Sequence, residues 1–320
     1  ATGQIALDAI PWGEEDADLR GLQLPVLENG RLQLKARDVA CRYLDDQKRC
    51  RIHMKLGNPI FTPCTAFPYR FTETPDGIAV TTSFMCGSVR ANVGPPLAER
   101  ADDIYMRFAK GGVSAKPESF RLALGREVPW EQFKQAEAAL RAPLGRSELG
   151  LDRRLWLGSR AVLAASEGQA ADPGWETEAI KPLPADTLEE TLDVRDGILR
   201  FFALVDPMLA PLKNPAAALV SGDEARLARF LETIHFSKVF SYGYSLAASN
   251  AIGLLLVRAI RILTAHHGGT LPEPVWERLG SFVFHGAFNT ALDTIFEVYP
   301  TTPGALGRPT FALDLLRAEA

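Results

Sequence analysis

Apolar and polar positions follow two different periods along this chain. Before about residue 96 they favour strands. Leu22 to Leu34 holds Asn29-Gly30, a dipeptide that supplies the positive φ angles of a tight hairpin turn, with apolar residues alternating at Leu32 and Leu34. Pro25 cannot donate to a ladder, so this strand is expected at an edge or a bulge. A second hairpin is predicted with its turn at Pro75-Asp76-Gly77, between Tyr69–Thr72 and Ile78–Phe84. Gly94-Pro95-Pro96 ends this region.

Beyond it the period becomes helical. Helices are expected over Leu97–Lys110, stopped by Gly111-Gly112, and over Trp130–Arg141, between Pro129 and Pro143. Residues 166–185, rich in Gly, Pro and Ala, read as a linker or surface loop. Asp186-Thr187-Leu188-Glu189 resembles a capping box, followed by an apolar face at Leu188, Leu192, Leu199 and Phe202. Ser221-Gly222-Asp223-Glu224 opens another helix, with Leu227, Leu231 and Ile234 on its stripe. A last helix is predicted from Pro274 to Val298, on Val275, Leu279, Phe282, Leu292 and Ile295. The expected fold is α+β: a β-hairpin-rich part with short helices (1–165), the linker or loop, then a mainly helical part with a buried central helix (186–320).

That central helix lies in the most distinctive stretch. Residues 233–272 hold no Asp or Glu, in a chain with 39 of them, and carry His235, His266 and His267. From Leu246 to Ala265 the pattern predicts a helix of about 20 residues, near 30 Å long. Ile252, Leu255, Leu256, Ile260 and Leu263 crowd most of its circumference, as expected of the hub of a core or of a subunit interface. Small residues, Gly253 among them, let neighbours approach, and Arg258 and Arg261 suit the negative end of the helix dipole.

The same stretch offers chemistry. Lys238–Tyr242 reads as a strand entering Gly243-Tyr244-Ser245-Leu246-Ala247, with the helix following at once. This resembles the nucleophile elbow of α/β-hydrolases, which implies Ser245 as a nucleophile and His285 or His266 as its base. The usual second glycine is Ala247 here. Only 75 residues follow Ser245, and His285 precedes Asp293, the reverse of that family's acid-then-histidine order.

Composition narrows the classes. Apolar residues make up 47% and charged residues 23% of 320, as in ordinary folded domains, so a core forms without disulfides. A net charge of −4 argues against a generally basic nucleic-acid binder. Locally, though, Arg42, Lys48, Arg49, Arg51 and Lys55 form a basic face suited to phosphates. Cys50-x-x-His53 has the spacing of two zinc ligands, with Cys64 and either Cys41 or Cys86 to complete a tetrahedron; the alternative is buried, reduced thiols. Glu14, Glu15, Asp16 and Asp18 read as a solvated acidic loop. No Walker loop, dinucleotide fingerprint, His-Glu-x-x-His or EF-hand occurs. The first residues lack the basic and then apolar runs of a signal peptide, and Arg258 and Arg261 interrupt the apolar helix, so no leader and no membrane span are expected. Both termini are expected to be held.

With no complete catalytic constellation, the leading expectation is a non-enzymatic structural or assembly protein: a shell, coat or complex subunit, intracellular and without a cofactor, whose partners are its own copies or other subunits. A Ser245 hydrolase and a nucleic-acid-binding subunit using residues 42–55 are the alternatives, and zinc is the one metal its residues suggest.

Overall fold

A computed structural model describes residues 11, 13–17, 36–37, 40–41, 43–47, 49–57, 62–110, 114–115, 119–215, 219–220, 222–238, 244–284, 294 and 302–319. The hairpin predicted around Asn29-Gly30, the strand residues 239–242, the distal half of the last predicted helix and the N-terminal residues lie outside these.

The fold is α+β with helices dominant. It has two small N-terminal hairpins and one long buried helix. The chain divides into two compact units, the first of residues 1–67 with 96–113 and the second of 68–95 with 114–320.

In the first unit, β1 (Ala36–Arg37) and β2 (Ala40–Cys41) pair as a minimal antiparallel hairpin. Two short helices follow, α1 (Arg51–Leu56) and α2 (Thr62–Ala66). Gly57, at φ +70°, closes α1 with its N–H on the His53 carbonyl, a backbone state that glycine adopts without a Cβ penalty. The later helix α4 (Ala101–Ala109) also belongs here, where a longer helix from Leu97 is expected. Residues Leu97–Arg100 instead form a tighter 3-10 turn, with no side-chain cap at Pro96. Tyr43, Ile52 and Ile104 are buried.

The second unit begins with the predicted hairpin, β3 (Tyr69–Thr74) against β4 (Gly77–Thr82), in register from Tyr69↔Thr82 to Thr74↔Gly77. Pro75 and Asp76 make the turn, Gly77 sits at φ +119°, and the Thr74 hydroxyl donates to its carbonyl at 2.8 Å. A short parallel strand, β5 (Ser114–Ala115), extends this sheet beside Phe71 and Thr72. Between them lies α3 (Gly87–Arg90). A further small hairpin, β6 (Arg121–Ala123) and β7 (Arg126–Glu127), turns through Gly125 at φ +72°.

The remaining helices are α5 (Trp130–Arg141), α6 (Leu151–Glu167), α7 (Ala185–Val205), α8 (Glu224–Ser237), α9 (Leu246–His266), α10 (Glu273–Phe284), α11 (Thr302–Gly307) and α12 (Phe311–Arg317). Helix α6 has no counterpart in the sequence expectations, although most of its length is buried. The predicted capping box at Asp186 is not made: α7 starts at Ala185 behind Pro184, with no side-chain cap. Asp223 does cap α8, accepting the Arg226 N–H at 2.8 Å. Residues 168–184 are folded onto the second unit, with Trp175 buried and Arg153 donating to the carbonyls of Glu176 and Glu178.

Helix α9 is the centre of the second unit. Every residue from Leu246 to Thr264 is buried. Helices α6, α7, α8, α11 and α12, strand β6 and a 3-10 segment at Pro207–Lys213 pack around it. Among the described helices α9 is long and apolar enough to cross a bilayer, with a mean hydropathy of 1.7, yet it is enclosed by its own chain. Gly253 lets α8 approach, since a Cβ there would stand 3.2 Å from Leu231 Cδ2.

The β3–β4 hairpin is pinned to the helices by aromatic packing. Phe84 meets Phe230 edge-on at 5.1 Å between centroids and Trp276 at 6.2 Å. Arg90, buried, donates to the carbonyls of Phe84 and Met85 and to Glu273. Gly280 on α10 rides directly on this turn, and a Cβ there would fall 2.8 Å from the Phe84 carbonyl carbon. Gly280→Ala should therefore lower unfolding stability by about 1–3 kcal/mol through overpacking, measured by urea denaturation.

Candidate functional site

Burying α9 end to end forces every polar group on it to find a partner inside the protein. These partners define the polar constellations of the second unit.

At its N-terminus Ser245 is the N-cap. Its backbone is extended, and its Oγ accepts the Ala248 N–H at 3.2 Å. One of the two lone pairs of this hydroxyl is committed to the helix start, and the residue is buried. Lys238, expected to open a strand, instead closes α8 in a left-handed conformation at φ +56°. His285 and Asp293 lie outside the described residues. His266 lies at the far end of α9, about 30 Å from Ser245 along the helix, and both His266 and His267 are exposed. The structure does not bring Ser245 and His266 together.

It brings together other pairs. His235 Nδ1 sits 3.4 Å from Ser249 Oγ, with both side chains buried. Burial first, and Arg141 second, push the imidazole pKa down to about 3, so the ring is neutral at physiological pH. The next residue, Asn250, donates through Nδ2 to Ser159 Oγ of α6 at 2.9 Å. Just beyond α8, Lys238 Nζ donates to Glu137 Oε2 of α5 at 2.9 Å and to the Phe236 carbonyl at 3.2 Å. This ion pair is almost wholly buried against the rings of Phe236 and Trp130. Desolvation raises the Glu137 carboxyl above its ordinary range, although Lys238 and Arg141 pull it down. The i, i+4 spacing of Ser245 and Ser249, together with Asn250, was the signal in the sequence for this polar track. Nothing local named its partners on α5, α6 and α8.

In the first unit the basic segment is already engaged. Arg49 donates to Asp45 through Nε at 2.9 Å and pairs with it through its terminal nitrogen at 2.8 Å. Lys55 lies 2.7 Å and Arg51 3.6 Å from the Asp16 carboxylate. Arg42 and Lys48 lie outside the described residues. Asp16 is buried and departs from the reading of a solvated acidic loop, whereas Glu14 is exposed as that reading expects. Desolvation pushes its carboxyl up, but Lys55, the Gly13 N–H and Arg51 outweigh that and hold it below the usual carboxylate range.

Cys50 and His53 also serve the backbone. Cys50 Sγ accepts the His53 N–H at 3.4 Å as the N-cap of α1, and the His53 ring is exposed. Cys64 lies in α2, and Cys86 precedes α3 in the second unit; both are half-buried. Among the described residues no three His, Cys, Asp or Glu side chains converge as metal ligands, so Cys50, His53 and Cys64 are not gathered into a zinc site.

The first unit differs from the second in its surface. Met54, Phe67, Leu97, Tyr105 and Met106 are exposed there, five of the nine large apolar side chains exposed among the described residues. Helix α4 buries Ile104 and turns Tyr105 (68% exposed) and Met106 (51%) outward. No family model, curated protein or solved structure matches this chain.

Two outcomes follow from the polar track. Ser245→Ala should cost roughly 1 kcal/mol of stability through the lost cap, and a fluorophosphonate probe should leave no Ser245-dependent adduct. For His235, the unfolded ring titrates near 6.5 and the folded one at about 3. Between these values the unfolded chain binds more protons, so stability present above 6.5 is lost as pH falls. From pH 6.5 to 5 the wild type should lose about 1 kcal/mol per pH unit more than His235→Gln, read from denaturation midpoints.

Proposed function

We propose that this chain is a non-enzymatic structural subunit that associates with its own copies, and that its first unit provides the contact. The observation that carries this reading is the concentration of exposed apolar side chains on the smaller unit, headed by Tyr105 and Met106 on α4. Water-exposed groups of this kind are worth covering, at about 25 cal/mol for each Å² of apolar surface removed from water. Tyr and Met are also residue types enriched at protein interfaces.

Two further features fit. Ser245, considered as a nucleophile, is drawn into capping α9, and His266 stands exposed at the opposite end of that helix. Arg49, Arg51 and Lys55 are occupied by Asp45 and Asp16, which leaves less unpaired positive charge for a phosphate backbone than the sequence alone suggests. Ile252, Leu255, Leu256, Ile260 and Leu263 are enclosed by their own chain, so the contact proposed here does not use the central helix.

Size-exclusion chromatography with light scattering tests the proposal. The wild type should self-associate with rising concentration. Tyr105→Asp combined with Met106→Asp should shift it to monomer while its circular dichroism stays unchanged. A wild type that stays monomeric at every concentration overturns the reading.

A further inference from the structure

The sheet of the second unit has the strand order β4-β3-β5, which leaves β4 at an edge. Register decides which backbone groups of β4 meet β3. Thr74 and Gly77 flank the turn as a pair, and the Ser83 N–H donates to the Pro68 carbonyl at 2.7 Å. Bonded pairs alternate along an antiparallel ladder, so Gly77, Ala79 and Thr81 exchange their hydrogen bonds with β3. The N–H and C=O groups of Ile78, Val80 and Thr82 point the other way. No described residue bonds them.

Helix α8 covers a face of this hairpin. The Thr72 hydroxyl donates to the Ser237 carbonyl of α8 at 3.1 Å, and Thr81, on the same face, is buried. Ile78 on the opposite face stays 38% exposed. An open edge is a template for another strand, and proteins usually guard it with a lysine, a proline or a bulge. Strand β4 has none of these. Gly77–Thr82 carries no charge and no proline, and its register with β3 runs without a shift. Its Ile, Val and Thr residues also favour extended chain.

The edge is complementary to itself. A two-fold axis through Val80 sets Val80 opposite its own copy and Ile78 opposite Thr82 of the other chain. Every outward N–H then meets an outward C=O, in about six hydrogen bonds. The neutral strand brings no like charges together, and each Ile78 side chain lies beside a threonine methyl.

We propose that the outer edge of β4 pairs antiparallel with that of a second copy, in register about Val80, joining two sheets into one. This rests on the first-unit association proposed above. So few backbone bonds do not by themselves offset the freedom that two molecules lose on docking. Once the first units gather copies, the β4 edges meet at high effective concentration.

The test follows amide hydrogen exchange of the full chain, residue by residue, alongside light scattering as concentration rises. In the monomer Ile78, Val80 and Thr82 should exchange fast, while Ala79 and Thr81, bonded to β3, exchange slowly. Association should slow the first three by about tenfold or more. Val80→Pro removes an N–H from the outer edge and none from the β3–β4 ladder, so it should abolish protection at Ile78 and Thr82. If that variant disturbs the hairpin, so that Ala79 and Thr81 become fast, Ile78→Lys replaces it; a lysine guard at this exposed position should give the same loss. Protection unchanged in the variant overturns the proposal. Association with Ile78, Val80 and Thr82 still fast also overturns it but leaves the first-unit contact standing, and the edge is then open to a strand of a different protein. A chain that never associates overturns both. Protection that persists in Tyr105→Asp/Met106→Asp supports strand pairing and overturns the first-unit contact.

Discussion

Nineteen consecutive residues of one helix, Leu246 to Thr264, are buried by the rest of the second unit. That single constraint organises the others. A helix enclosed on all sides has no water to satisfy its side chains, so each polar residue on it needs a partner from a neighbouring element. Ser249 meets His235 of α8, Asn250 meets Ser159 of α6, Arg258 meets Glu319 after α12, and Arg261 meets Asp152 of α6. These bonds also set the rotation of each neighbour about α9. Leucines alone tolerate many rotations, whereas a hydrogen bond of about 3 Å tolerates few.

The ends of α9 are treated differently. At the N-terminus the orphan N–H groups are capped by Ser245, and small residues keep the approach tight. Toward the C-terminus the helix carries cations, as its dipole favours, but the chain buries them instead of leaving them in water. A buried guanidinium demands negative charge, and the carboxylates supplied are a mostly exposed Asp152 and a Glu319 whose carboxyl desolvation raises.

The first unit follows a different logic. Its core is small, and one buried carboxylate, Asp16, gathers Lys55 and Arg51 from α1. Apolar side chains that a larger core would absorb stay outside, on α4 and near it. A short chain segment has too much surface for its volume to hide them all, which is a physical reason for it to seek a partner.

Much of the architecture is legible in the residues themselves. Period and punctuation locate α5 between Pro129 and Pro143, the β3–β4 hairpin at Pro75-Asp76-Gly77, and the length of α9, because each depends on neighbours within a few positions. Strands of two or three residues such as β6 and β7 are too short to show alternation, and α6 is buried too evenly to show a single stripe. The chemistry is less legible. Gly243-Tyr244-Ser245 has the spacing of an elbow and Cys50-x-x-His53 that of a metal pair, yet Ser245 and Cys50 both cap helices, a role the same residue types fill equally well. The sequence by itself determined the helices whose ends are punctuated locally, α5, α8 and α9, and that α9 must be buried, because these depend on neighbours a few residues away. Only the tertiary structure decided which distant charge meets which, Lys238 with Glu137 or Arg258 with Glu319. Those contacts span 101 and 61 residues, and no local rule of spacing reaches across such distances.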